Sequence, residues 1–139
     1  MYGNGHYNLQ FACMFIVYLV WFGLLIPVRR AQAKAEGGID NSNPRAQYNN
    51  LPGYAIRSMA AHNNTMESFM FFGFALLANT VGGGSLVAAD VLCVIFMVCR
   101  IAYAVAYVMD YPSIRSSIWF ISFLSTFILF IIPFGTYQY

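Results

Sequence analysis

One segment of the chain concentrates polar side chains that could bind an ionic ligand. It reads Arg57-Ser58-Met59-Ala60-Ala61-His62-Asn63-Asn64-Thr65-Met66-Glu67. At about 100° per helical residue, the side chains of Arg57, Asn64 and Glu67 fall on one face. That face offers a guanidinium, an amide and a carboxylate, which suits either a ligand or a neighbouring helix. His62 points to nearly the opposite side, where we expect a hydrogen bond at a helix interface or a position near the lipid headgroups.

A second group of polar residues follows at helical spacing. Arg100, Tyr103 and Tyr107 share one face, and Arg115 with Ser116 comes shortly after Pro112. Glu67 and Arg100 lie at comparable predicted depths, so an ion pair between them is one interpretation. The other arginines and the two phenols favour a second interpretation, a site for an anionic, water-soluble cosubstrate.

The composition places these residues in a membrane protein. The 139 residues are 60% hydrophobic and 9% charged, whereas a soluble domain averages about 25% charged. We expect one domain over residues 1–139 and a lipid bilayer as partner. The net charge of +2 gives no reason to expect a nucleic-acid partner. We also expect no metal site and inert, buried thiols, because the two histidines and three cysteines form no ligand cluster.

Four apolar stretches are long enough to cross a bilayer as helices, which takes about 20 residues. They lie at about 7–28, 54–81, 85–109 and 113–134, and the first is read as a retained anchor. The predicted fold is therefore an all-α, integral membrane four-helix bundle. A polar loop at about 29–53 contains the chain's turn-forming steps, with a helical extension at Ala31 to Glu36.

The basic residues predict the orientation of these helices. The first connection contains four basic residues, Arg29, Arg30, Lys34 and Arg45, and Arg115 lies at the end of the third connection. The Gly82-Gly83-Gly84 connection has no basic residue. Cytoplasmic loops are enriched in Lys and Arg, so both termini are expected on the non-cytosolic side and the polar site on the cytosolic side. Four tyrosines near the termini suit the outer interface: Tyr2, Tyr7, Tyr137 and Tyr139.

Three runs of residues together resemble a known family. They are Ala61-His62-Asn63-Asn64-Thr65-Met66-Glu67, Arg100-Ile101-Ala102-Tyr103-Ala104-Val105-Ala106-Tyr107 and Ile114-Arg115-Ser116. The chain resembles the MAPEG family, membrane-associated proteins in eicosanoid and glutathione metabolism, and is most similar to its small bacterial branch. The resemblance implies a homotrimer in the bacterial inner membrane that binds glutathione as cosubstrate between subunits, facing the cytoplasm.

The resemblance also implies roles for individual residues. Asn64 and Glu67 would hold the glutathione peptide, and Arg115 would favour its thiolate over its thiol. The other expected glutathione-binding residues are Arg30, Arg57, Arg100, Tyr103, Tyr107 and Ser116. The implied activity is that of a glutathione transferase or peroxidase, in which the thiolate attacks a lipophilic electrophile or hydroperoxide.

Two positions depart from the family pattern. Asn63 stands where characterised members often have a basic residue, and Tyr103 stands where one branch has a histidine. A second function class therefore stays open, a non-catalytic membrane protein or accessory subunit of a larger membrane complex. In that case the polar faces would only hold helices or subunits together.

Overall fold

The computed structural model describes residues 7–136, with side chains through residue 135, and this part of the chain is all-α as predicted. The helices are α1 (Asn8–Gly23), α2 (Leu25–Lys34), α3 (Pro44–Tyr48), α4 (Gly53–Val81), α5 (Leu86–Val108) and α6 (Pro112–Thr136). Three tyrosines expected at the outer interface lie outside the described residues: Tyr2, Tyr137 and Tyr139.

Three helical segments within the described residues are long and apolar enough to cross a membrane. They are Asn8–Lys34, Leu86–Val108 and Pro112–Gly135. The 29-residue α4 is also long, but its first half carries the polar segment from Arg57 to Glu67 and it does not reach the same hydropathy. The expectation of four apolar spans therefore holds for three helices, and a crossing by α4 stays a prediction.

The first span is interrupted at Leu24, where α1 passes into α2. Leu24 joins the two helices in a near-helical conformation, and Pro27 lacks the N–H that would bond to the carbonyl of Gly23. The helix then continues beyond Val28 to Lys34, which includes most of the extension predicted at Ala31 to Glu36. Burial explains the extension, because Ala31 packs in one apolar cluster with Leu51 and Ala55.

The polar loop is ordered around one glutamine. The Gln47 side chain donates a 2.7 Å hydrogen bond to the carbonyl of Gly38 and accepts one of 3.3 Å from the backbone N–H of Asp40. Gly37 and Gly38 have φ values of +81° and +73°, which glycine adopts without the penalty of a Cβ. The short α3 begins at Pro44, a residue well suited to the first helical position.

Helix α5 is central to the packing, because it contacts α1, α4 and α6, while α4 also contacts α2 and α6. One half of the bundle contains an apolar cluster in which the rings of Phe72 and Phe96 stack with centroids 4.0 Å apart. The other half contains the polar segment of α4 from Arg57 to Glu67 and the Arg100, Tyr103 and Tyr107 face of α5. The three cysteines are buried, as expected: Cys13, Cys93 and Cys99.

Candidate functional site

A polar cleft of about 320 Å³ lies between α4, α5 and α6. Its lining side chains carry an amide, two phenols, a guanidinium, a hydroxyl and an indole: Asn64, Tyr103, Tyr107, Arg115, Ser116 and Trp119. Helical periodicity brings the two phenols to the same side of α5, while the start of α6 supplies Arg115 and Ser116. All these residues except Trp119 were predicted to bind or activate glutathione, and the fold places them around one space.

The two tyrosine rings of this cleft lie in a row between two arginines, of which Arg115 lines the cleft and Arg100 is fully buried. The Arg115 Cζ lies 4.2 Å from the ring centroid of Tyr107, and the Arg100 Cζ lies 4.1 Å from that of Tyr103. The two rings meet edge to face, with centroids 5.5 Å apart. The guanidinium of Arg115 makes no hydrogen bond or ion pair with another described residue, and its side chain is half-buried. Its positive charge is therefore open to a ligand.

The predicted ion pair between Glu67 and Arg100 does not form. Arg100 is fully buried, and its two Nη atoms donate to four neutral oxygens instead. The acceptors are Asn64 Oδ1 at 3.0 Å, Thr65 Oγ1 and Ser68 Oγ at 3.2 Å, and Ser122 Oγ at 3.5 Å. These contacts join α5 to α4 and α6. Arg100 therefore acts as an internal crosslink, and its Nη donors are already occupied within the chain.

An apolar groove, also of about 320 Å³, lies beside the cleft between α4 and α6. Trp119, Phe123 and Phe127 recur every four residues on α6 and stack in sequence, with centroids 5.6 and 6.3 Å apart. Phe71 and Phe130 complete the aromatic lining, and Asn64, Glu67, Ser68, Ser122 and Thr126 contribute polar atoms. Asn64 and Trp119 line both spaces, so cleft and groove meet at these two side chains.

Arg57 is engaged at the end of α5 and does not line the cleft. Its Nε donates a 3.2 Å hydrogen bond to the carbonyl of Val108, and its Nη1 lies 3.3 Å from Asp110 Oδ2. Asp110 has a φ of 65° and closes α5 in a Schellman motif, with Asp110 N–H bonded to Tyr107 O and Tyr111 N–H to Ala106 O. Arg57 thus secures the turn from which α6 and Arg115 begin.

Two other predicted ligands lie outside the cleft. Arg30 is exposed on α2 and lines neither space. Glu67 is exposed and lines the groove, with no hydrogen bond or ion pair to another described residue. His62 is a structural residue, as expected, since its ring stacks on Trp21 at 4.7 Å and its Nδ1 bonds to the Trp21 carbonyl.

The sequence reasoning missed several polar residues of this region. Ser68 follows Asn64 by one helical turn and reaches the same guanidinium, so helical spacing alone could have identified it. Ser122 and Thr65 are buried partners of Arg100. The pattern Asp110-Tyr111-Pro112 contains no signal for the pairing of Asp110 with an arginine on α4.

Comparison with known proteins identifies a family. The model of the MAPEG family matches residues 9–135, which is nearly the whole chain. No individual curated protein matches the sequence of this chain. Since three helical segments in the described part of the chain are apolar enough to cross a membrane, the molecule is an integral membrane protein of the kind found in glutathione and eicosanoid metabolism. The chain belongs to the MAPEG family.

Proposed function

We propose that this protein is a glutathione-dependent transferase or peroxidase that acts on lipophilic substrates. The observation that carries the proposal is the junction of the polar cleft and the apolar groove at Asn64 and Trp119. A water-soluble thiol in the cleft and a lipophile in the groove would bring their reacting atoms together there. Such positioning of two reactants is itself a large part of catalysis.

Glutathione fits the chemistry of the cleft. Its carboxylates would meet the phenols of Tyr103 and Tyr107, since phenol groups donate hydrogen bonds to carboxylates. Asn64 would hold the peptide backbone. Glu67, which lines the adjoining groove and has no partner among the described residues, would accept from the glutathione amine at the junction.

Arg115 would then activate the thiol. A nearby cation stabilises a thiolate and lowers the pKa of the thiol, and the Arg115 guanidinium has no counter-ion among the described residues. In conjugation, the sulfur forms a bond to the electrophilic atom and the leaving group departs with the electron pair. In peroxide reduction, two glutathione molecules give one disulfide, one alcohol and one water.

We also propose a homotrimer in the bacterial inner membrane, with α4 as a fourth membrane-crossing helix and the cleft on the cytoplasmic side. The exposed carboxylate of Glu67 in an apolar groove supports a contact between subunits, because an unpaired charge facing lipid costs several kcal/mol. Exposed Arg30 would face such a neighbouring subunit. The basic residues of the first connection support the orientation.

The test of the proposed function is a pair of assays on the purified protein in detergent. Glutathione should bind with saturation at or below millimolar concentration, and the protein should then conjugate it to benzyl chloride or reduce cumene hydroperoxide with it. Arg115→Ala should lower turnover while the protein stays folded. A wild-type protein that neither binds glutathione nor turns over either substrate would refute the proposal.

A non-catalytic role is the second candidate, and the Arg100 network favours it. Four bonds from one buried guanidinium hold three helices together without any ligand. If the whole polar region had that purpose, the protein would fold and associate normally yet bind no glutathione. The binding assay above separates the two candidates.

A further inference from the structure

The bonds of Arg100 determine which atoms of two neighbouring side chains face away from it. A guanidinium has only donors, so the atom of Asn64 that it meets at 3.0 Å must be the carbonyl oxygen. The Asn64 NH₂ group is therefore directed elsewhere. The hydroxyl of Ser68 likewise accepts from Arg100 at 3.2 Å and keeps its proton for another acceptor. No other described residue uses either donor.

Both free donors belong to the groove. Asn64 and Ser68 are one helical turn apart on α4, both bond to the same guanidinium, and both line the space that the aromatic rings enclose. The other hydroxyl groups that line the groove already donate hydrogen bonds to backbone carbonyls of α6. Ser122 donates to the Trp119 carbonyl, and Thr126 donates to the Ser122 carbonyl. Asn64 and Ser68 thus form a donor pair in mainly apolar surroundings.

Buried Arg100 reinforces this pair. The structure pairs it with neutral oxygens and with no carboxylate among the described residues. Its positive charge polarises Asn64 and Ser68 toward the groove and holds them in position. Fixed donors in a water-poor site are the arrangement that stabilises an oxygen on which negative charge develops.

We propose that the Asn64–Ser68 donor pair stabilises the oxyanion that leaves when the protein acts on a lipophilic hydroperoxide. The inference rests on the proposed function. The glutathione thiolate attacks the terminal peroxide oxygen, a sulfur–oxygen bond forms and the oxygen–oxygen bond breaks. The departing alkoxide accepts hydrogen bonds from Asn64 and Ser68 and then takes a proton to give the alcohol. A second glutathione converts the sulfenic acid to glutathione disulfide and water.

The donor pair favours a substrate that is neutral where it meets Asn64 and Ser68 and becomes negative only during bond cleavage, as a peroxide does. An epoxide, whose ring oxygen also leaves as an alkoxide, belongs to the same class. Alkyl halides gain nothing from the pair, because halide is a weak hydrogen-bond acceptor.

The test compares kcat/KM for cumene hydroperoxide with kcat/KM for benzyl chloride in wild type and in Ser68→Ala. The ratio of the two values cancels changes in glutathione binding and in the amount of folded protein. We expect Ser68→Ala to lower this ratio roughly 10- to 100-fold, at or below the usual effect of removing one oxyanion donor. Ser68→Thr, which keeps the hydroxyl, should retain most of the ratio. Ser117→Ala is the matched control, since Ser117 is exposed and lines neither space.

A ratio that Ser68→Ala leaves within about twofold of wild type would overturn this inference, and so would an equal fall for both substrates. A wild type that conjugates benzyl chloride but does not reduce the hydroperoxide would also overturn it, with the proposed function still standing. If wild type binds no glutathione and uses neither substrate, the proposed function itself fails.

Discussion

Replacing Arg100 by lysine separates an internal crosslink from a ligand-binding residue. The guanidinium makes four hydrogen bonds to oxygens on α4 and α6 and lies over the Tyr103 ring. An ammonium has three donors from one point, so at least one bond is lost. A hydrogen bond to a charged group contributes about 1.5–3 kcal/mol and a desolvated cation–π contact about 2 kcal/mol. Arg100→Lys should therefore destabilise the fold by about 3–5 kcal/mol.

Thermal unfolding in detergent measures this effect. At about 2–4 °C per kcal/mol for a domain somewhat larger than this one, the apparent midpoint should fall by about 6–20 °C. Arg115→Lys is the matched control, because that guanidinium contacts the Tyr107 ring and no described carboxylate, and its midpoint should move by less than about 3 °C. An Arg100→Lys protein with an unchanged midpoint and a raised KM for glutathione would refute the crosslink.

Three further predictions concern the turns and the groove. Asp110→Gly should leave the unfolding midpoint unchanged or slightly raised, because two effects offset each other. Glycine adopts the left-handed φ of residue 110 without strain, which stabilises the fold by about 1 kcal/mol, and loss of the exposed ion pair with Arg57 costs about 0–1 kcal/mol. A fall of more than about 5 °C would contradict this. Gly84→Ala should lower the free energy of unfolding by about 1–3 kcal/mol, because its Cβ would overlap Asn79 Oδ1. Gly23→Ala, with open space around it, should not lower it. Phe123→Ala should raise the KM for benzyl chloride roughly tenfold and leave the glutathione affinity measured by titration unchanged.

The sequence predicts the parts of this molecule that depend on local periodicity. Apolar runs identify the three candidate spans found between residues 8 and 135, and helical spacing places Tyr103 and Tyr107 on one face. The bases for these predictions are the 3.6-residue repeat and the length of a bilayer crossing, both of which a single sequence displays. The sequence also predicts a helical extension at Ala31 to Glu36, but not the burial against Leu51, on the far side of the loop, that stabilises α2 as far as Lys34.

Partner choice among the charged residues could not be predicted in the same way. Arg100 and Glu67 lie at similar predicted depths in the membrane, but the depth of a residue does not determine how its helix is rotated about its own axis. In the structure that rotation turns Arg100 toward neutral oxygens and leaves Glu67 in the groove. Arg57 likewise pairs with Asp110, which is 53 residues later in the sequence (110 − 57). No rule of helical spacing applies over that separation.

The measurement that most directly tests glutathione activation in the cleft is the ultraviolet absorbance of thiolate during titration with glutathione. At neutral pH the thiol of free glutathione is mostly protonated. A thiolate signal that saturates during the titration therefore reports stabilisation of the thiolate by the protein. We predict that wild type gives this signal and that Arg115→Ala loses most of it while still binding glutathione. A wild type without a saturable thiolate signal at millimolar glutathione, or an Arg115→Ala variant with an undiminished one, would contradict the role of the cleft and of Arg115.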